Sequence, residues 1–104
     1  YNIPVITVIF NNRSLGMVRQ WQELFFGERY SHSLLSGVDT DYVKLAEACG
    51  VNGLRVTEKA ELSKAIEQAI ELQAPVVIDV KIDPKENVMP MVPAGKALDE
   101  MLGI

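Results

Sequence analysis

Asn11 and Asn12 close a short apolar run and stand just before Arg13, Ser14, Leu15, Gly16 and Met17, where apolar residues take up helical spacing. Asparagine suits the end of a strand, because its short amide hydrogen-bonds nearby backbone and tolerates left-handed geometry. In open parallel sheets ligands sit beyond the carboxyl ends of the strands, where strand-to-helix loops gather, and Asn11 to Gly16 occupies such a place. A helix start leaves N–H groups without internal acceptors. Those of Ser14, Leu15, Gly16 and Met17 would carry about half a positive charge between them and suit a phosphate oxygen, with Gly16 allowing close approach. Asn12 offers a neutral carbonyl oxygen, a hard donor suited to Mg²⁺, which is held by carboxylates, waters and substrate phosphates. No carboxylate stands nearby in the sequence, so the acidic ligand must come from elsewhere.

Each of these residues also has a reading that needs no ligand. Asn11 and Asn12 can form a plain turn, and Gly16 can be a point of helix packing. Trp21, at helical spacing, is by pattern a buried anchor whose indole N–H needs one acceptor. His32, the only histidine, has no identifiable partner, which is the pattern of a surface or packing residue. The chain has no Gly-x-Ser-x-Gly elbow, no paired cysteines of zinc spacing and no Walker loop, and no catalytic set emerges from it.

The elements that must position these residues follow from periodicity. Val5 to Phe10 is β-branched and almost uninterrupted, the pattern of a central parallel strand covered on both faces. Leu15, Val18, Trp21, Leu24 and Phe25 recur at spacings of three and four, predicting a helix over residues 15–26 with Ser14 as its cap and these residues inward. No period survives between Gly27 and Gly37, which reads as a surface loop over a site. Asp39 and Thr40 would cap a second helix with Tyr42, Leu45, Ala46 and Cys49 inward, ended by Gly50. A strand over residues 54–56 follows. Thr57 would cap a helix over residues 58–72 with Leu62, Ala65, Ile66, Ala69 and Ile70 inward. Residues 76–82 form the last strand. Strands alternating with helices predict an α/β fold, a parallel sheet with helices on both faces. Residues 83–93 carry three prolines and read as an extended arm, with a helical stretch over residues 94–102. The chain thus divides at residue 82 into a sheet-forming portion and a C-terminal arm.

The 104 residues, 48% hydrophobic, are enough for one core. A net charge of −4 gives no footprint for a nucleic-acid backbone. The longest apolar run is too short to cross a membrane, so a soluble chain is expected. Cys49 is single and cannot form an internal disulfide. The chain opens on Tyr1 and runs straight into the first strand, as expected of a piece of a longer polypeptide.

The run Phe10-Asn-Asn-Arg-Ser-Leu-Gly-Met-Val-Arg-Gln-Trp-Gln-Glu-Leu-Phe-Phe26 resembles the large, catalytic subunits of the acetolactate synthase family. The resemblance continues through Arg29-Tyr-Ser31, Leu45-Ala-Glu-Ala-Cys-Gly50, Glu86-Asn-Val-Met-Pro-Met-Val-Pro93 and Leu98-Asp-Glu-Met101, and so covers essentially the whole chain. It implies a thiamine diphosphate-binding domain, and the closing half of a metal signature that opens, in this family, with Gly-Asp-Gly. Asn12 would then give its side-chain oxygen to Mg²⁺ and Ser14 its backbone carbonyl. Leu15, Gly16 and Met17 would lie against the diphosphate, while Met17, Val18 and Trp21 would line the substrate channel. The arm would fold over the active site. No catalytic residue is expected within the segment, since the glutamate that activates the cofactor belongs to a neighbouring subunit, and residues 1–104 alone should be inactive.

The family joins two 2-oxo acids with loss of CO₂, in branched-chain amino-acid synthesis. It also carries FAD in a domain this chain lacks, works as a homo-oligomer, and can take a regulatory small subunit. The resemblance implies a cytoplasmic enzyme in a bacterium and a plastid or mitochondrial one in a eukaryote. The alternatives are a sister enzyme of the glyoxylate carboligase or pyruvate oxidase type, or a noncatalytic α/β interaction module.

Overall fold

A computed structural model describes residues 3–35, 37–38 and 40–103 and contains one sheet of three parallel strands. These are β1 (Ile6–Asn11), β2 (Asn52–Val56) and β3 (Val76–Lys81), in the spatial order β1-β3-β2. Val76 lies level with Ile6 on one side and Asn52 on the other, and Val80 with Phe10 and Val56. All three strands therefore point the same way, and the loops leaving them gather at one edge.

The last strand is central, not the first. β3 buries Val76, Ile78, Asp79 and Val80, whereas β1 buries only Asn11 and leaves Phe10 66% exposed. An apolar run states that a strand is to be covered, and both strands have one. It does not state which neighbour does the covering; within this segment β3 receives it.

Helices lie on both faces of the sheet. Leu54 and Val56 share a face with Val76, Ile78 and Val80 and pack against Ala65 and Ala69 of α3 (Leu62–Glu71), the helix numbered here after α1 (Gly16–Phe25) and α2 (Tyr42–Ala48). Gly53 faces the other way, toward α2, where an added Cβ would stand 2.9 Å from both a methyl and the carbonyl oxygen of Val43. Any side chain at Gly53 would push α2 off the sheet. That close approach turns Val43 and Ala46 inward, with Tyr42 half-buried, and leaves Leu45 and Cys49 exposed against expectation. In α3 the small Ala65 and Ala69 make the close contact, so Ile66 and Ile70 also stay outside.

The helix starts differ from those predicted. Asp41, not Thr40, caps α2 by accepting the Lys44 N–H at 3.1 Å; Asp39 lies outside the described residues. Ahead of α3 a 3-10 turn spans Lys59–Glu61, and Thr57 is not a cap. Instead the N–H groups of Thr57 and Glu58 both donate to Glu61 Oε2 at 3.1 Å. These two bonds hold the Glu61 carboxyl below the usual carboxylate range. A lowered folded value contributes stability that is present above the unfolded value and is lost as pH falls through the folded one. In the complete protein the unfolding temperature should therefore drop on acidification below the ordinary carboxylate range, and Glu61→Gln should flatten that slope. Equal slopes in thermal melts across this range would reject the assignment.

The helical stretch expected over residues 94–102 is absent. Gly95 adopts a left-handed conformation at φ +79, and Lys96 N–H closes a turn on Pro93 O at 3.1 Å. The chain then doubles back so that Met91 and Leu102 exchange backbone hydrogen bonds at 3.1 and 2.8 Å. Among the described residues no helix is long and apolar enough to cross a membrane.

Candidate cofactor site

β1 ends in two successive asparagine turns. Asn11 Oδ1 accepts the Arg13 N–H at 3.2 Å, and Asn12 Oδ1 accepts the Ser14 N–H at 3.0 Å. Each amide thus bonds backbone two residues on, turning the chain where the sheet ladder stops. Arg13, at φ +56, is the left-handed residue between them. α1 begins at Gly16 with Leu15 as its flanking residue and no side-chain cap. Ser14 is not the cap its position suggested: its hydroxyl is buried and meets no hydrogen-bond partner among the described residues.

Residues 31–35 are stitched to this turn. Leu15 N–H donates to Ser33 O at 2.8 Å and Leu35 N–H to Arg13 O at 2.9 Å, with Ser14 opposite Leu34. The hydroxyl of buried Ser33 donates to Gln22 Oε1, and Gln22 Nε2 donates to Ser31 O at 3.1 Å. Of the four N–H groups expected to face a ligand, those of Ser14 and Leu15 are therefore engaged. Gly16 and Met17 retain theirs, since the first residues of a helix have no acceptor one turn earlier, and no other acceptor meets them among the described residues. His32 is exposed on the same loop and takes no part.

α1 packs through its polar side. Arg19 is 3% and Gln20 1% exposed. Gln20 Nε2 donates to Val88 O at 2.9 Å, and Gln20 Oε1 accepts the Val88 N–H at 2.8 Å. Arg19 reaches Glu23 and Asn87, and Asn87 Nδ2 donates to Glu23 Oε1 at 3.3 Å. The C-terminal arm is thus held along α1 by hydrogen bonds. Val18, Leu24 and Phe25, expected inward, are exposed, and so are Leu15 and Met17, the latter at 51%. Trp21 is half-buried, its ring edge-on to Phe25 with centroids 5.5 Å apart. The cause is plain: a polar face can be the packed one where the arm meets its hydrogen bonds, as it does for the Gln20 amide and one end of the Arg19 guanidinium, although Arg19 Nε finds no partner among the described residues. Met17, Val18 and Trp21 then share one stripe that starts at the unengaged N–H groups.

Gly16 also abuts the Asn12 amide, and a Cβ there would stand 2.8 Å from Asn12 Nδ2. Asn12 Oδ1 accepts one hydrogen bond and keeps a second lone pair, while no donor meets the Ser14 carbonyl among the described residues. Two neutral oxygens beside two unengaged helix N–H groups suit magnesium diphosphate. No cluster of three His, Cys, Asp or Glu residues that could hold a metal occurs among the described residues, and none of residues 12–17 carries a carboxylate. These residues fit half of the site. A cavity of ≈ 240 Å³ lined by Asn11, Arg13, Leu35, Val38, Thr40 and Tyr42 adjoins the turn, yet none of the candidate contact residues Asn12, Ser14, Leu15, Gly16, Met17, Val18 and Trp21 lines it. The candidate residues thus lie along an open edge and not in that cavity.

Behind the turn lies a residue that sequence reading passed over. Asp79, fully buried, accepts from Asn11 Nδ2 at 2.9 Å through Oδ1, with Lys81 Nζ at 3.1 Å and Arg55 Nε at 3.6 Å from Oδ2. The signal was a carboxylate inside the apolar run from Val76 to Val80. Gln20, Gln22 and Ser33 gave no comparable signal.

Comparison with known proteins gives the family. Residues 1–80 match the family model described as thiamine pyrophosphate enzyme, C-terminal TPP binding domain. The acetolactate synthase large subunit of Pyropia yezoensis is 43% identical over 104 residues, covering 100% of this chain and 18% of the relative. The mitochondrial acetolactate synthase catalytic subunit of Saccharomyces cerevisiae is 43% identical over 99 residues, covering 95% of this chain and 14% of that protein. The isozyme 2 large subunit of Escherichia coli is 42% identical over 100 residues, covering 96% and 18%. The chain therefore spans less than a fifth of the length of these relatives. With the matched domain, the parallel sheet and the turn beyond its first strand all in one segment, the chain belongs to the thiamine pyrophosphate enzyme family, through its C-terminal TPP-binding domain.

Proposed function

We propose that this segment serves an acetolactate synthase, which condenses two pyruvates, or pyruvate with 2-oxobutyrate, to a 2-acetohydroxy acid with release of CO₂. The observation that carries this reading is the reach of the similarity. The cofactor-domain match ends at residue 80, whereas relatives named acetolactate synthase align across the arm as well. In this reading Asn12 Oδ1 and the Ser14 carbonyl ligate Mg²⁺, and the Gly16 and Met17 N–H groups meet the diphosphate. Met17, Val18 and Trp21 line the substrate route, and the arm restricts water there. Thiamine diphosphate, when bound, supplies the electron sink for decarboxylation. The acidic ligand, the FAD domain, the homo-oligomeric partner and any regulatory small subunit lie outside the segment. The pathway is branched-chain amino-acid synthesis, in the cytoplasm of a bacterium or in a plastid or mitochondrion.

The test is product analysis of the complete polypeptide with thiamine diphosphate and Mg²⁺. Pyruvate should yield 2-acetolactate, and pyruvate with 2-oxobutyrate the mixed product. Condensation of glyoxylate or oxidation of pyruvate would assign a sister enzyme instead. Residues 1–104 alone should form no product, because this reading assigns the metal's carboxylate to another part of the protein, and acetolactate from that segment would contradict the division of the site.

A further inference from the structure

We infer that Asp79 is a positioning residue for Asn12: its buried carboxylate sets the Asn11 amide, and through it the turn that presents the Asn12 oxygen. The inference rests on the magnesium role proposed above for Asn12. An asparagine amide has an accepting end and a donating end of nearly equal shape, and its partners decide which way it faces. A carboxylate accepts and does not donate. With Asp79 Oδ1 2.9 Å from Asn11 Nδ2, the other end of the amide must face the Arg13 N–H, which it accepts at 3.2 Å. Rotated half a turn, the amide would set oxygen against carboxylate and NH₂ against N–H, losing both bonds and adding two repulsions.

The Asn11 to Arg13 bond spans Asn12. It helps hold Arg13 at φ +56, and Asn12 Oδ1 then reaches the Ser14 N–H at 3.0 Å while its Nδ2 lies against Gly16. Asp79 is a firm anchor for this chain of contacts. It sits on the central strand at 0% exposure, and Lys81 and Arg55 flank its second oxygen, which makes no hydrogen bond. Arg55 also pairs with Asp41, the cap of α2, so the carboxylate ties all three strands to the turn. Two flanking cations offset the cost of burying a charge there.

The test uses the complete polypeptide and calorimetric titration of Mg²⁺ at saturating thiamine diphosphate, with unfolding temperature recorded beside it. Asp79→Asn can offer NH₂ to Asn11 and so permits the rotated amide. It should raise the Mg²⁺ concentration for half-saturation about tenfold, the factor that ~1.4 kcal/mol represents. The double variant N11D/D79N reverses donor and acceptor, and should return half-saturation to within about threefold of the parent. A general loss of packing would not be repaired in that way. If Asp79→Asn does not fold, Asn11→Ala, which leaves Asp79 with Lys81 and Arg55, carries the same tenfold expectation. Unchanged Mg²⁺ binding in a folded variant of either kind overturns the inference. Asn12→Ala, measured alongside, separates the two readings. If it too binds Mg²⁺ normally, the metal role itself is wrong; if it alone is weakened, only the positioning role of Asp79 is wrong.

Discussion

Replacing Asn12 by alanine in the complete protein should raise the Mg²⁺ concentration that half-saturates thiamine diphosphate binding by at least about 100-fold, since even groups that merely support a metal ligand are worth 10- to 100-fold. The substitution removes the side-chain oxygen proposed above as the metal ligand. It also frees the Ser14 N–H, now bonded at 3.0 Å, which costs about 1 kcal/mol of stability for a typical hydrogen bond. The two effects separate by experiment. Calorimetry should show the large loss of affinity, while denaturant unfolding of the metal-free protein changes little. A folded Asn12→Ala protein that binds magnesium diphosphate like its parent would remove the chemical basis of the site.

Gly16→Ala should produce opposite effects on helix and ligand. Alanine is favoured over glycine within a helix by about 1 kcal/mol, and Gly16 opens α1 without a left-handed φ. On backbone grounds alone the variant is stabilised. Its Cβ, however, would fall 2.8 Å from Asn12 Nδ2, a separation that real Cβ contacts essentially never show. The amide must shift, and the methyl group would also crowd an anion approaching the Gly16 N–H. Affinity for magnesium diphosphate should drop roughly 30-fold, as expected when a supporting contact of a metal ligand is displaced. Melting temperature should hold or rise. Retained affinity would mean that the glycine serves packing only.

Strands and helices were legible wherever a period was backed by local chemistry. β3 is apolar and is buried, and the Ala65 and Ala69 pair of α3 lies inward as its spacing requires. Two of the errors share one cause. Periodicity shows which residues avoid water and not what covers them, so β1 was mistaken for the central strand and the apolar stripe of α1 for its packed face. Both face outward in a segment that spans a small part of its relatives. Ser14 is not the cap because its hydroxyl is buried and meets no partner, and residue type alone does not tell where a hydroxyl points. The Gly95 turn defeated the terminal helix through backbone conformation, which apolar spacing does not encode. The turn residues Asn11, Asn12 and Gly16 were legible because their types are demanded by geometry. Asp79 was not, because its partner lies 68 positions away.

The grip of Gln20 on residue 88 engages main-chain atoms on both sides, N–H and C=O, and leaves the valine side chain 64% exposed. Such an attachment is blind to the identity of the residue it holds. A replacement of Val88 that keeps the backbone N–H can keep both bonds, proline would lose one because it has no N–H to give, and a side chain at position 20 without an amide would lose both. At position 88 the tether is thus spelled out on the helix alone, whereas one residue earlier Asn87 adds its own side chain to the contact with Arg19 and Glu23.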